Sequence, residues 1–430
     1  MRSLVLLIPL LAGLATALVS PRHAARSTSK FPPPGKSTSS FSVPVSKTQA
    51  SKRDFPREWA AARQKWGKVI PGDVLSTFGL LDDDGLVDVK PLGSDDIYIA
   101  DIEIGNPPQT LKMAFDTGSA DMWVQSSDTV YRTNTDGPWA PQYRPHASNT
   151  SHAVEDAEWQ VAYMDGTHAN GVVYFDTVRM AGFELFDAPV QSAEIVSPRF
   201  ERETELSGIM GFAKSLSSNI EPPLPSFLDR LRPLLDNPVI SVDLRRNASG
   251  IFDFGHLNAS RGSDNITWME TNPDSPHWDV TFKLTAWTGN RRVWWEHEFE
   301  ATIDTGTTLM FMPPDLASMY WYDVPGMRVD PRLHDAFTFP CNLANGLPDL
   351  LFKLPGEGTD DEEHVVTIPG PYLNYGPVED DPEYCWGGMQ SAEDMEVTIF
   401  GDVMLKALLV AFDLENHRVG FANKHLEDLE

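Results

Sequence analysis

The tripeptide Asp-Thr-Gly occurs twice in this 430-residue sequence, at Asp116-Thr117-Gly118 and Asp304-Thr305-Gly306, each time followed by a hydroxyl residue, Ser119 or Thr307. Each copy closes a short apolar run and precedes another, Met122-Trp123-Val124 or Leu309-Met310-Phe311. At ordinary residue usage a given tripeptide turns up roughly 0.1 times in a chain this long, so two copies in matching surroundings form a repeat. The repeat continues: Ile209-Met210-Gly211 and Ile399-Phe400-Gly401 follow the two aspartates at similar distances. One copy alone would be an ordinary turn. Two copies, brought together by two similar lobes, would set Asp116 and Asp304 side by side. Carboxylates in contact cannot both ionise cheaply and share one proton. The ionised member can deprotonate a water while the protonated member donates to the carbonyl that the water attacks, which is amide hydrolysis without a covalent intermediate. Gly118 and Gly306 let backbone N–H groups approach the carboxylates, Ser119 and Thr307 supply hydroxyl donors, and Thr117 and Thr305 are short enough to bond across the lobe interface.

The elements that must position these residues are strands. From about Val87 the chain is a series of short alternating runs broken by Gly, Pro, Asn and Asp: Tyr98–Ile104, Leu111–Phe115, Met122–Gln125, Trp159–Tyr163, Val172–Met180, Val239–Leu244, Val280–Leu284, Ala301–Ile303, Leu350–Leu354, Val365–Ile368, Val397–Phe400, Leu408–Phe412 and Val419–Ala422. The pattern predicts a mostly β protein. Short helices are expected at Pro225–Leu235 and Pro314–Tyr322, and Asp54–Trp66 has helical spacing of Trp59, Ala62 and Trp66.

Composition narrows the function. Lys+Arg is 34 against Asp+Glu 62, a formal charge of −28, which argues against nucleic acid or an anionic membrane as partner. The charge is split. Residues 21–70 hold eleven basic residues against two acidic ones, +9, while residues 71–430 carry −38. Residues 1–20 read as a secretory signal, with Arg2, an apolar run from Leu4 to Leu14, and Ala15-Thr16-Ala17. Residues 21–53, rich in Ser, Pro, Thr and Lys, are expected to be disordered. No other stretch is apolar enough to span a membrane, and the polar end Lys424–Glu430 is unlike a GPI signal. With secretion, the sequons at Asn149, Asn247, Asn258 and Asn265 become glycosylation sites on exposed loops. The two cysteines, Cys341 and Cys385, are either one structural disulfide or two buried thiols. No cofactor and no metal site is expected. H-E-x-x-H and G-x-S-x-G are both missing from the sequence, against metalloprotease and serine-hydrolase chemistry.

On these motifs the sequence resembles the pepsin-like aspartic proteases, most closely the secreted fungal ones. The resemblance runs from Tyr98 to Ala422 through Tyr98–Gln109, Phe115–Val124, Gly208–Phe212, Ile303–Leu309 and Phe400–Val403. It implies a bilobal fold of two related β-barrel-like lobes with a cleft between them, and the single second-lobe disulfide at Cys341 and Cys385. It also implies a flap at Trp159–Thr167, with Tyr163 as flap tyrosine and Trp123 as its partner, and Asp165, Gly166 and Thr167 near substrate. Met164 departs from the family's usual glycine. Ala114, Tyr163, Phe200, Leu206 and Ile209 would line an apolar pocket for the residue before the cleaved bond, and Asp165 could admit a lysine there. Gln64-Lys65-Trp66-Gly67 is similar to the family's inhibitory Lys-Tyr-Gly element, which makes Lys65 the residue expected to face the aspartates.

The expected organisation is a signal peptide at 1–20, a basic propeptide at 21–85, a first lobe at 86–240 and a second at 241–430. The expected protein is a secreted monomeric zymogen, extracellular or alternatively vacuolar, acting on polypeptides at acidic pH. A catalytically impaired binding protein on the same fold is the alternative; retention of both aspartates and of Tyr163 separates the two. A glycosidase pair is disfavoured because its carboxylates need two different environments, and here the context is shared.

Overall fold

The structure is a computed structural model that describes residues 39–47, 54–66, 70, 74, 77–78, 98–132, 136–137, 139–162, 168–201, 204–289, 293–355, 364–395 and 397–426. All lie in one compact unit, Thr38–Glu430. The described residues are mostly strand, arranged in two lobes. The sequence repeat is a structural repeat. In the first lobe Gln109–Asp116 runs parallel to Gly208–Gly211, which pairs antiparallel with Met122–Val130. In the second, Trp295–Ile303 runs parallel to Thr398–Phe400, which pairs antiparallel with Met310–Met312. Each aspartate therefore sits where a strand ends beside a returning apolar–apolar–Gly strand. Gly211 and Gly401 permit that closeness: a Cβ on either would lie 2.4 Å from Ser119 O or 2.1 Å from Thr307 O.

A fourteen-stranded sheet carries the first lobe and continues through Phe41–Lys47 into Ala248–Phe254, Val239–Arg245, Leu408–Asp413, Arg418–Asn423 and Thr267–Glu270. A further pairing of Tyr98–Ile104 with His168–Met180 curls the first-lobe portion toward a barrel. The second lobe has a seven-stranded sheet and a four-stranded one, Arg328–Asp330, Ala336–Pro340, Tyr384–Gly387 and Asn374–Pro377. Cys341 and Cys385 are bridged beside this small sheet, with Cα atoms 5.0 Å apart. The two lobes share a core in which Phe115 meets Phe212 and Phe252 edge-to-face at about 5 Å.

Three expectations need correction. Part of the segment expected to be disordered is a strand. Phe41–Lys47 alternates, burying Val43 and Val45, and pairs on one side with Ala248–Phe254 and on the other with Tyr98–Ile104. Its composition reads as disordered, but two waiting strand edges supply the backbone partners. The helix expected at Pro225–Leu235 is α only over Phe227–Leu231, capped by Ser226, and tightens to 3-10 over Arg232–Leu234 where Pro233 lacks a donor. The expected boundary at 240 falls inside the strand Val239–Arg245, which belongs to the sheet joining the lobes. The helix Pro314–Tyr322 has the expected bounds.

Among the described residues of the basic leader is the helix Phe55–Lys65. Asp54 caps it by accepting from Arg57 N at 3.2 Å, Pro56 starts it, Ala60–Ala62 favour it, and Arg63 and Lys65 suit its C-terminal end. Phe55, Trp59 and Ala62 fall on one face and pack into the second lobe. Phe55 stacks on Trp386 at 4.5 Å and meets Tyr375 edge-on.

Candidate active site

The two Asp-Thr-Gly turns are related by an approximate two-fold exchange. Thr117 N donates to Thr305 Oγ1 and Thr305 N donates to Thr117 Oγ1, both at 3.0 Å. Thr117 Oγ1 in turn donates to Ile303 O at 2.9 Å, and Thr305 Oγ1 to Phe115 O at 2.8 Å. These crossed bonds tie the strand ends of the two lobes together. Asp116 accepts from Gly118 N at 2.8 Å and Ser119 Oγ at 2.6 Å. Asp304 accepts from Gly306 N at 2.9 Å and from the Thr307 hydroxyl. The glycines are required by the approach: a Cβ on Gly118 would lie 2.5 Å from Asp304 Oδ1, and one on Gly306 2.4 Å from Asp116 Oδ1.

Lys65, at the end of the leader helix, reaches both carboxylates. Its Nζ is 2.8 Å from Asp116 Oδ1 and 2.9 and 3.0 Å from the oxygens of Asp304. Both aspartates are buried, Asp304 fully. Burial raises both carboxylates. For Asp116, Lys65 and the hydrogen bonds it receives outweigh burial and bring it down to about 2. For Asp304, burial and the neighbouring Asp116 charge prevail over Lys65 and hold it above the ordinary value. Burial opposes the Lys65 charge, but the two carboxylates more than compensate and push its pKa up.

The helix holds Lys65 in place by contacts sequence reasoning did not identify. Thr308 Oγ1 donates to the buried carboxylate of Glu58 at 2.8 Å. Arg63 lies 4.2 Å over the Trp59 ring and donates to Glu393 O at 2.9 Å. Its pKa is lowered to about 10 by burial, against the charges of Asp394 and Glu393. Thr308 follows the second motif directly, which is a signal; nothing local marks Glu58.

Of the remaining site residues inferred from sequence, Ala114, Trp123, Phe200, Leu206 and Ile209 fall in one buried apolar cluster of the first lobe. Trp123 packs edge-to-face on Phe200 at 5.0 Å and stacks on Trp159 at 5.9 Å. Tyr163, Met164, Asp165, Gly166 and Thr167 lie outside the described residues. The flanks of that segment pair as a hairpin, with Ala162 opposite His168 and Trp159 opposite Gly171. Asn149, Asn247 and Asn265 are exposed and Asn258 is half-buried. His277, not singled out from the sequence, meets Trp66, the residue after Lys65, edge-to-face at 4.8 Å.

A family model described as eukaryotic aspartyl protease matches residues 97–424. The chain is 34% identical to endothiapepsin of Cryphonectria parasitica, the match covering 84% of each. It is 33% identical to podosporapepsin of Podospora anserina over 80% of this chain and 78% of that one. It is 31% identical to penicillopepsin-3 of Penicillium janthinellum over 89% and 92% respectively.

Proposed function

This chain belongs to the eukaryotic aspartyl protease family and is an aspartic-type endopeptidase; from that premise we propose that it is made as a self-inhibited precursor whose Asp116–Asp304 pair hydrolyses polypeptides at acidic pH. The observation that carries this is the placement of Lys65 across both carboxylates. With Lys65 bound, its ammonium holds oxygens of both carboxylates, so a water cannot bridge the pair from that side. With Lys65 gone, two buried carboxylates in contact hold one proton between them. The ionised one takes a proton from water, whose oxygen bonds to the peptide carbon. The protonated one donates to the carbonyl oxygen. Collapse of the resulting diol breaks the C–N bond as a proton passes to the leaving nitrogen. Thr117, Gly118, Ser119, Thr305, Gly306 and Thr307 orient the pair, and the hydroxyl and amide donors stabilise its ionised member.

Tyr163, Asp165, Gly166 and Thr167 would close over the substrate. The apolar lining of Ala114, Phe200, Leu206 and Ile209, backed by Trp123, suits a hydrophobic residue before the cleaved bond. The signal-like start and the sequons, with Asn149, Asn247 and Asn265 exposed and Asn258 half-buried, support secretion with glycosylation at these four asparagines. No helix among the described residues is long and apolar enough to cross a membrane.

The test is to incubate the purified full chain at about pH 7 and about pH 3.5, with and without pepstatin, following peptide cleavage and the new N-terminus. Acid-dependent, pepstatin-sensitive removal of the leader between Lys68 and Gly93 is expected. Full activity of the uncut chain near neutral pH refutes the reading, as does a leader removed only by another protease.

A further inference from the structure

One titratable ring close to the aspartates takes no part in the dyad chemistry. His277 precedes the strand Asp279–Trp287, on a loop fixed from two directions. Trp278 Nε1 donates to Phe212 O at 2.9 Å, and Lys214 N donates to Pro276 O at 3.1 Å, pinning the loop to the first lobe. Ser275 Oγ accepts from His277 N at 3.0 Å and donates to Asp279 at 2.5 Å. The backbone under this ring is therefore held whether or not the leader is docked.

In the precursor the surroundings suit a neutral imidazole. The ring bonds to the Gly118 backbone, and its Nδ1 is buried without a hydrogen-bond partner among the described residues. A second proton would go to Nδ1 and find no acceptor there. Trp66 packs against the ring at 4.8 Å with planes 70° apart. The charges that reach it are Lys65 from the leader helix, Asp116 from the first lobe and Asp279 from its own strand. Lys214 Nζ, from the first lobe, is turned to Asn272 O at 2.8 Å and stands 5.7 Å over the Trp278 ring. Burial opposes the imidazolium most, the two carboxylates favour it and Lys65 opposes it; the balance holds His277 below its ordinary value of 6.5. An indole attracts a cation, but that attraction is smaller than the cost of a buried charged donor with no partner. Departure of Lys65 and Trp66 takes away a like charge and admits water to Nδ1, so the ring returns toward its ordinary value. The open chain then binds a proton that the docked chain refuses. By linkage this group leaves docking untouched well above 6.5, weakens it as pH falls below 6.5, and adds nothing further once pH is under the lowered value of the docked ring.

We propose that His277 is a proton sensor of the precursor: a proton taken up by its buried, unpartnered ring expels the Lys65–Trp66 end of the leader helix. The inference rests on the precursor reading above and names a group through which acid acts. Docking is then already weakened when the carboxylates of the acidic body titrate near 4. His277 does this from beside the dyad and does not touch the reacting atoms.

The test follows leader loss by mass spectrometry in full-length native, H277F and H277Q chains across a pH series. H277F keeps a ring against Trp66, and H277Q keeps a neutral donor for the Gly118 backbone; neither can take up the proton. Either substitution can change the rate at every pH by altering packing, so the readout is the ratio of native to variant conversion rate at each pH. That ratio should rise at least about threefold between about pH 7 and about pH 4.5, for both variants, and then level off. A smaller rise, a flat ratio or a falling one for either variant overturns the inference. A native chain that converts in acid with such a flat ratio sinks this inference alone. A native chain that never removes its own leader in acid sinks the precursor reading and this inference with it.

Discussion

Replacing Lys65 by methionine keeps the length of the stem and removes the ammonium. Three contacts at 2.8–3.0 Å are lost from a buried site. Removing one partner of such a pair costs about 3–5 kcal/mol when the other is left charged. Here the dyad can take up a proton instead, so about 2–3 kcal/mol of leader docking should go. The direction in pH follows from Asp116. Docking depresses it to about 2, below the ordinary value near 3.9, so its pairing with Lys65 stabilises the closed chain above that ordinary value and fades only as pH falls toward 2. Acid opening therefore begins with other carboxylates of the acidic body, which titrate near 4, while the Lys65 contact still resists it. Deleting that contact shifts opening to higher pH. At about 1.4 kcal/mol per pH unit for each proton taken up on opening, the midpoint of self-conversion should rise by about 1–2 units. The assay is a pH series on full-length native and K65M chains, stopped at one short time and read by mass spectrometry for leader loss. A K65M midpoint equal to or below the native one would refute the assignment of Lys65 as the electrostatic lock.

Asp116→Asn and Asp304→Asn should each abolish both peptide hydrolysis and self-conversion, while circular dichroism and melting temperature stay near native; appreciable activity in either would dismiss the shared-proton scheme. Gly118→Ala should lower kcat at least about a hundredfold with a smaller change in KM, because the new methyl group must displace Asp304 from 2.5 Å; near-native kcat would show that the close approach is dispensable. Replacing both Cys341 and Cys385 by serine should cost about 4 kcal/mol for a 44-residue separation in the chain-entropy account, measured by denaturant unfolding of the precursor; a loss under about 1 kcal/mol would mean the small sheet is held without it. Trp59→Ala, which empties a fully buried leader anchor, should weaken docking by about 3–5 kcal/mol and give a precursor that converts at higher pH than the native chain.

The dyad was legible because its signal is local and doubled: a strand end, a carboxylate, a small hydroxyl residue and a glycine, twice. The Thr117–Thr305 exchange follows from the same six residues. What the sequence concealed depends on distant partners or unusual turns. Phe41–Lys47 has only seven residues and a proline, and it is a strand because Ala248–Phe254, two hundred positions away, lies along it. Phe183–Val196 escaped notice because Glu184, Asp187, Gln191 and Ser192 interrupt its apolar pattern. It enters through Ala181 and Gly182, both at positive φ, where Asn-Gly is the usual signal. The helical spacing of the leader was readable from Trp59, Ala62 and Trp66. Its landing place on Tyr375 and Trp386 was not, since nothing in a periodic pattern names the surface that receives it.

The crossed threonine bonds also constrain how the molecule can deform. Four hydrogen bonds, each at or below 3.0 Å, join the two halves at the very point where the carboxylates project. A joint fastened on its axis resists separation there and yields at its rim. Any widening that lets a long polypeptide thread between the halves must then be a rocking about this fulcrum, large at the outer edges and nearly zero at the aspartates. Substrates of different girth would meet the same carboxylate spacing, and the catalytic distance would be insulated from the mechanics of loading.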